Sequence, residues 1–353
     1  CSFTGNLAMN GVGGIGSFGG GNGANGQGSG GAIFNLGATL TIGAGNTFSG
    51  NIASSGDANV DGSTQVTTLA DAGPGSLRLA IGNAAARPGA DTVTFDASLS
   101  GGTIFLTSGQ LDLADPSGAL TITATNLSQG VNLDGGNAQR LIFVQPGATV
   151  TLDSLTFTNG LADFGGGLYN RGVTVVRRCS FIGNRSDFHG GAIRNDTGSG
   201  NLTLEHCTLT RNSAGNNGGA VQNDAGSTLV ARHCTIVSNA AAVSGGGLRL
   251  FSGPVTLAHC LIAYNTDAGA GPEVNTVSSP VSASFNLLGN GTGSTLVDGV
   301  NGNRVGGAGT PLDPRLGPLQ NNGGATLTYL LLPSSPARDA GDPGFDSAGL
   351  TDQ

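Results

Sequence analysis

The chain has 353 residues, a net charge of −8 and no lysine, so all 14 basic residues are arginines. Only Arg177 and Arg178 are adjacent, and this charge balance excludes the basic surface that nucleic-acid binding requires. Glycine is frequent, at 65 residues, but lacks the Gly-X-Y period of collagen. No apolar run is long enough to span a bilayer.

Residues 1–62 contain phrases that return later in the chain. Cys1 to Asn6 has the sequence Cys-Ser-Phe-Thr-Gly-Asn, and the glycine-rich stretch 11–29 has the composition of a flexible loop. These phrases predict β-helix coils that form either the end of a preceding module or an assembly segment. Because the chain opens directly in such a phrase, we expect it to be a segment of a longer protein.

The main domain is predicted from residue 63 to residue 310 and starts with a short helix. Ser76 is a suitable N-cap for a helix near residues 76–86, whose apolar side chains recur on one face. A helix of this kind can cap the open end of a stacked coil, where unpaired strand edges invite aggregation. The apolar face consists of Leu77, Ala80, Ile81 and Ala84.

Short apolar segments alternate with turns from Asp91 to Leu152, which is typical of strands without intervening helices. A repeat follows, in which a cysteine and an asparagine five residues later recur every 26 to 28 residues. This period favours a stacked parallel coil over a sandwich or barrel. The repeated segments are Cys179–Asn184, Cys207–Asn212, Cys234–Asn239 and Cys260–Asn265.

The alternation of side chains predicts which residues face the core. Its parity breaks between Leu257 and Cys260, where a bend must turn the chain. Export would favour disulfides, but the parallel Cβ vectors of stacked cysteines fit a disulfide poorly, so we expect a buried column of free thiols. Stacked asparagines are expected to hydrogen-bond along the axis. The predicted columns are Cys179, Cys207, Cys234 and Cys260; Asn184, Asn212, Asn239 and Asn265; and Asn170, Asn195 and Asn223.

Two groups of side chains are candidate metal ligands. His206, His233 and His259 each precede a column cysteine, so stacking places them in a second column, with Arg178 one coil earlier. We favour a structural surface column, because ligands in a straight line suit tetrahedral coordination poorly. The second group lies in residues 311–353, a turn-rich segment expected to wrap the C-terminal end of the solenoid. There, Asp339, Asp342 and Asp346 are candidate Ca²⁺ ligands, with turn formation as the favoured alternative; no cofactor is otherwise expected.

Three stretches resemble one family of secreted bacterial surface proteins. The Gly-Gly-apolar and Phe-x-x-Asn phrases are similar to the repeats of polymorphic outer-membrane, autotransporter-type β-helix proteins. Residues 71–81 resemble the entry segment of such proteins, and residues 316–342 resemble their choice-of-anchor Q segment. The resemblance implies an all-β, right-handed, single-stranded parallel β-helix that is exported and held at the cell surface. It implies no reaction. Here coils precede the entry segment, and the sequence ends at Gln353, before the expected anchor.

Catalysis is the main alternative, since parallel β-helices also include pectate lyases and polygalacturonases. The sequence has no Asp-Asp pair and no Gly-His-Gly phrase, to which His189-Gly190 comes nearest. With two glutamates, Glu205 and Glu273, and no lysine, it offers no basic residue beside a carboxylate cluster of the kind a calcium-dependent lyase uses. No catalytic residue is therefore predicted, and fold analogy alone does not supply one.

The sequence predicts an extracellular structural or adhesive solenoid that associates with itself, with other surface proteins or with glycans. The alternative is a carbohydrate-binding or carbohydrate-cleaving β-helix. A cleft of carboxylates and aromatic rings along one face would favour that alternative, whereas the scarcity of tyrosine and the absence of tryptophan count against it. A third hypothesis is that residues 1–62 complete the open end of another copy and build a filament.

Overall fold

The computed structural model describes residues 63–344 except 115–117, 197, 199 and 270, together with six short strands between residues 2 and 61. The described chain winds into a right-handed parallel β-solenoid of about 8 turns with one short helix. The predicted fold class is therefore confirmed. Four parallel sheets run along the solenoid, and each full coil contributes one strand to each sheet in the order sheet 1, sheet 2, sheet 4, sheet 3.

Sheets 1 and 2 each have nine strands. The strands of sheet 1 are Gln65–Val66, Asp91–Phe95, Ala119–Thr123, Thr149–Asp153, Val173–Arg177, Asn201–Glu205, Thr228–Arg232, Val255–Ala258 and Val281–Ser284. The strands of sheet 2 are Thr103–Phe105, Val131–Asp134, Leu155–Thr158, Ser180–Ile182, Thr208–Thr210, Thr235–Val237, Leu261–Ala263, Leu287–Leu288 and Arg304–Val305.

Sheets 3 and 4 are shorter, with seven and five strands. The strands of sheet 3 are Leu111–Leu113, Ile142–Val144, Leu168–Asn170, Ile193–Asn195, Val221–Asn223, Leu248–Leu250 and Val274–Thr276. The strands of sheet 4 are Leu161–Phe164, Arg185–His189, Ser213–Ala214, Ala240–Ala241 and Thr266–Asp267. Two 3₁₀ turns, Ala97–Leu99 and Val300–Gly302, lie between strands.

One residue with a left-handed backbone makes the corner between sheet 1 and sheet 2 in six successive coils. Its φ angle lies between 48° and 60° in every case. This residue accounts for the break in side-chain alternation that was expected before each column cysteine. It turns the chain and contributes no side chain to either strand face, so the alternation starts again after it. The corner residues are Ser154, Arg178, His206, His233, His259 and Phe285.

The Gly-Gly phrases make the turn between sheet 4 and sheet 3. Gly190 has φ of +68°, a conformation that disfavours other residues. At Gly191 a Cβ atom would lie 2.2 Å from the carbonyl oxygen of Gly219 in the next coil, so only glycine fits. The turns therefore allow the coils to stack closely at this edge.

A single apolar core runs along the axis and is lined by the expected columns. Among the described residues, the four column cysteines are buried and form no disulfide, and burial raises the pKa of the Cys179 and Cys234 thiols. The asparagines that follow the sheet 2 strands are also buried, and the side-chain oxygens of Asn212, Asn239 and Asn265 each accept from the backbone N–H and the side-chain amide of the asparagine one coil earlier. For Asn239, these two bonds from Asn212 measure 3.0 and 2.9 Å. A second buried column joins Asn170, Asn195 and Asn223 at 2.8 and 2.7 Å.

The helix spans Leu77–Ala85 and covers the first rungs of the core. The Ser76 hydroxyl accepts a hydrogen bond of 3.2 Å from the backbone N–H of Leu79, as expected of an N-cap. Arg78 forms an ion pair of 2.7 Å with Asp71, which also accepts from the backbone of the loop at residues 107–108. The buried helix residues are Leu77, Ala80, Ile81 and Ala84, the predicted apolar face.

The described part of the tail, up to residue 344, lies along the side of the solenoid, whereas the sequence predicted that the tail wraps the C-terminal end. Strands Leu316–Gln320 and Thr328–Leu331 form an antiparallel hairpin. Tyr329 Oη lies 2.9 Å from Thr210 Oγ1, and the Thr326 hydroxyl donates to the carbonyl of Arg178. The outer face of sheet 2 is apolar in the last coils, and the tail covers it. The covered residues are Val237, Leu261, Ala263 and Leu287.

The six strands between residues 2 and 61 pair in parallel with one another. None of them pairs with a strand of sheets 1 to 4 in the described part of the chain. The glycine-rich stretch 11–29 lies outside the described residues. The pairs are Ser2–Thr4 with Thr47–Ser49, Leu7–Ala8 with Ile52–Ala53, and Ile33–Phe34 with Val60–Asp61.

Candidate functional site

The outer side of sheet 3 carries a continuous row of side chains. Each strand has three residues, and the first and last face the core in nearly every coil, so the middle residue points outward. Neighbouring rungs of a sheet are about 4.8 Å apart, which makes a seven-rung row about 30 Å long. The row consists of Asp112, Phe143, Tyr169, Arg194, Gln222, Arg249 and Asn275.

Aromatic rings from two sheets meet at this row. Phe143 and Tyr169 stack with centroids 5.2 Å apart. The ring centroid of Phe164, from sheet 4, lies 5.6 Å from that of Phe188 and 5.9 Å from that of His189. Sheet 4 shifts register between Ala162 and Phe164, and such irregularities re-aim side chains. This shift and the following glycine turn bring the sheet 4 rings beside sheet 3.

Two arginines pack on these rings. The guanidinium carbon of Arg194 lies 4.0 Å from the centroid of Phe164, and that of Arg140 lies 5.1 Å from the centroid of Tyr169. Both distances are within the range of cation–π attraction. We call this cluster the aromatic–arginine face, and it consists of Arg140, Phe143, Phe164, Tyr169, Phe188, His189 and Arg194.

Ion pairs hold the centre of the face in place. Arg194 forms ion pairs of 2.7 Å with Asp224 and 3.3 Å with Asp196. Asp196 also pairs with Arg171 at 2.9 Å. The carboxylates of Asp196 and Asp224 are thus both engaged by arginines, and they fix the guanidinium plane of Arg194 over Phe164.

Burial changes the acid–base behaviour of the face. Burial, with Arg194 nearby, lowers the pKa of His189, which keeps its imidazole neutral at neutral pH. Burial likewise lowers the pKa of Arg140. It raises the pKa of Tyr169, with a further contribution from Asp196. The face is therefore a partly dry surface of rings and guanidinium groups, suited to packing against a ligand.

The three column histidines lie on another part of the solenoid. Their rings stack face to face, with centroids 4.8 Å apart from His206 to His233 and from His233 to His259. Equivalent nitrogens of parallel rings are separated by the same distance, whereas two nitrogens on one Zn²⁺ lie at most about 4.2 Å apart. Phe285 continues the stack at 5.3 Å. Within the described residues, no group of three histidines, cysteines or acids is arranged to hold a metal ion.

The aspartates proposed as calcium ligands do not form a described cluster. Asp342 accepts a hydrogen bond from the backbone N–H of Gly344, which is turn formation. Asp339 has φ of 53° in a turn of its own. Asp346 lies outside the described residues.

The aromatic–arginine face was not predicted from the sequence. The chain is only 5% aromatic, which concealed the fact that several rings meet in one place. The face could have been predicted from the residue that lies between the two apolar residues of each sheet 3 strand. Once the coils are aligned, that position contains Phe143, Tyr169, Arg194 and Arg249 in four of seven coils.

The stacked coils, their left-handed corners and the asparagine columns define a parallel β-solenoid. A family model described as the right-handed beta helix region matches residues 113–305, which is more than half of the chain. The chain therefore belongs to the right-handed β-helix family. No curated protein and no solved structure matches it. Among the described residues, no helix has the length and apolarity needed to cross a bilayer.

Proposed function

We propose that this protein is a non-catalytic, adhesive solenoid of the cell surface that binds an extended carbohydrate along the aromatic–arginine face. The observation that carries the proposal is the assembly of four aromatic rings and two guanidinium groups on one side of the solenoid. Ring faces and guanidinium planes bury the C–H surface of sugar rings. The row on sheet 3 is about 30 Å long, which suits a polymer better than a small molecule.

The charges on this row favour an acidic polysaccharide. Among the described residues, no carboxylate lies within ion-pair distance of Arg140 or Arg249, although both are partly buried. Burial lowers the pKa of both guanidinium groups, and for Arg140 the nearby Tyr169, Asp163 and Asp112 oppose this effect. A carboxylate or sulfate on the ligand would add a direct ion pair.

Binding without cleavage is supported by the state of the two acids beside Arg194. Cleavage of a glycosidic bond needs one carboxyl group as acid and another as base or nucleophile. Asp196 and Asp224 are both occupied by arginines, which leaves neither positioned to exchange a proton with a substrate. Export and surface location rest on the resemblance to bacterial surface proteins.

Affinity electrophoresis in gels containing polysaccharide tests this proposal. We expect the chain to be retarded by polygalacturonate or heparin more than by the neutral polymers dextran and xylan. Phe188→Ala and Tyr169→Ala should each weaken retention about fivefold, equivalent to about 1 kcal/mol for one stacked ring. Phe188 is 49% exposed, so its removal leaves the fold intact.

Phe105→Ala is the matched control, since this ring is 58% exposed but lies on sheet 2. It should bind as the unmodified chain does. Lack of retention by every polymer, or equal retention of all three variants, would refute glycan binding at this face. Release of reducing ends or unsaturated products from a bound polymer would refute the non-catalytic role.

We also propose that residues 1–62 mediate end-to-end assembly. Their described strands pair only with one another, so they have rungs that another coil can extend. The helix Leu77–Ala85 covers the first rungs of the main core, which directs assembly to the C-terminal end of a second copy. The aromatic–arginine faces of successive copies would then form a multivalent surface.

A further inference from the structure

A second row of side chains runs beside the outer row of sheet 3. It consists of the residue that follows each strand, whose backbone N–H donates to the last strand residue of the preceding coil at 2.9 to 3.0 Å. The alternation of side chains places this residue on the same outer side as the middle residue of the strand. The second row contains Arg171, Asp196, Asp224, Phe251 and Val277.

The two rows are in contact, as Arg194 shows. Arg194 belongs to the first row and forms ion pairs with Asp196 of its own coil at 3.3 Å and with Asp224 of the next coil at 2.7 Å. A side chain of the second row therefore reaches the guanidinium group of the first-row arginine in its own coil and in the preceding one. The ion pairs neutralise the charge at the centre of the face.

Arg249 occupies the equivalent place two coils later, but its neighbours in the second row are apolar. They are Phe251 in its own coil, 46% exposed, and Val277 in the next coil, 48% exposed. The Arg249 guanidinium donates to the side-chain oxygen of Asn275, and among the described residues no carboxylate forms an ion pair with it. The C-terminal end of the face thus repeats the combination of a ring and a guanidinium group without an acidic partner that is found at Arg140.

The two cationic ends of the face are well separated. The Arg140 guanidinium packs on the rings of Phe143 and Tyr169, 6.0 and 5.1 Å from their centroids, which places it at the second and third rungs of sheet 3. Arg249 lies on the sixth rung. The separation is therefore three to four rungs, or about 14 to 19 Å along the axis.

We propose that Arg249 and Phe251 form a second contact region for an acidic polysaccharide, so that the aromatic–arginine face prefers oligomers long enough to reach both ends. The inference rests on the proposed binding of carbohydrate at this face. One acidic group of the polymer pairs with Arg140 and another, several sugars away, pairs with Arg249, while a sugar ring packs on Phe251. Once the first contact has formed, the second is intramolecular and gains from a high effective concentration.

Titration calorimetry with homogeneous oligogalacturonates tests the inference in the full chain. Trigalacturonate is too short to place carboxylates at both ends of the face, whereas octagalacturonate spans them. We expect octagalacturonate to bind about tenfold more tightly than trigalacturonate, and its methyl ester, which lacks the charges, to lose this advantage. Because a long oligomer also has more registers on a single contact region, variants must show where the gain arises.

Phe251→Ala and Arg249→Gln should each weaken the binding of octagalacturonate about fivefold. Neither should change the binding of trigalacturonate, which is expected at the ring-rich end of the face. The matched controls are Phe105→Ala on sheet 2 and Arg232→Gln on sheet 1, both exposed side chains on other sheets, and they should bind both oligomers normally. Circular dichroism confirms that each variant is folded.

Phe188→Ala separates this inference from the proposed function. It should weaken the binding of both oligomers, because Phe188 contacts Phe164 at the ring-rich end. If it does so while Phe251→Ala and Arg249→Gln bind octagalacturonate normally, the second contact region is refuted and glycan binding stands. Absence of binding by both oligomers would also refute the inference, and retention of Phe188→Ala equal to that of the unmodified chain in the polysaccharide gels would refute the proposed function as well.

Discussion

Glu273 occupies the end of the asparagine column and is one of only two glutamates in the chain. Its carboxylate accepts from the backbone N–H of Asn265 at 3.2 Å and from the side-chain amide at 2.6 Å. Burial raises the pKa of Glu273 to about 7, and the bonds from Asn265 only partly oppose this effect. The column is therefore completed by an acid that the folded state prefers to keep protonated.

The raised pKa of the Glu273 carboxyl predicts that the free energy of unfolding depends on pH. The Glu273 carboxyl has a pKa near 4.5 in the unfolded state and about 7 in the folded state. Its contribution to the free energy of unfolding is therefore fully present below pH 4.5 and is lost as the pH rises through about 7. The loss is about 3 kcal/mol. Glu273→Gln keeps an accepting oxygen for Asn265 and should remove this loss, so the variant is more stable at pH 8 and similar at pH 4.5.

Chemical unfolding at several pH values measures the effect. Glu205→Gln is the matched control, because Glu205 lies on the surface of sheet 1 at the same formal charge. It should leave the pH profile unchanged. If Glu273→Gln shows the same fall in stability between pH 5 and 8 as the unmodified chain, the carboxyl is not the titrating group.

At the scale of the coil, the asparagine columns fix where each corner forms. Asn239 accepts two bonds from Asn212, and its amide donates to Asn265 and to the carbonyl of Leu209. These polar groups are buried, so a donor or acceptor that loses its partner cannot form a replacement hydrogen bond with water. The column links one corner to the next over several coils.

Asn239→Ala should lower the free energy of unfolding by about 3 kcal/mol or more, because it leaves two buried donors of Asn212 without an acceptor. Asn201→Ala, at an exposed strand end, should change it by less than about 0.5 kcal/mol. Thermal unfolding followed by circular dichroism compares the two variants. A similar small effect in both would contradict a stabilising role for the column.

The coils were the part of the structure that the sequence predicted well. The spacing of Cys207 and Cys234 gave the register of sheets 1 and 2, and Ser76 gave the start of the helix, because both depend on local geometry and alternation. The sequence did not reveal the tail position or the aromatic–arginine face. Both depend on which coils lie beside each other in space, so Tyr329 meets Thr210 across more than one hundred residues.

At the scale of the molecule, the proposed assembly through residues 1–62 makes a direct prediction. The full chain should form linear oligomers at high concentration, because a parallel rung at one end can extend the open rung of another copy. Deletion of residues 1–62 leaves sheets 1 to 4 and the helix with all their described strands, so the shortened chain should fold and remain monomeric.

Sedimentation velocity and electron microscopy of both forms provide the measurement. Monomers of the full chain at every concentration would contradict the assembly, as would oligomers that persist after the deletion. Val173→Ala, with a surface change on the fifth of the nine strands of sheet 1, is the control and should assemble as the full chain does.

The left-handed corners constrain how such a molecule can change in length. Successive corner residues are 24 to 28 residues apart, so the turns of a coil can gain or lose a few residues while the corners stay aligned, whereas only the gain or loss of an entire coil changes the number of rungs. Each such step lengthens or shortens the outer row of sheet 3 by about 4.8 Å. The outer row of sheet 3 can therefore change in length only by whole coils, and the length of polymer that it contacts changes in the same steps.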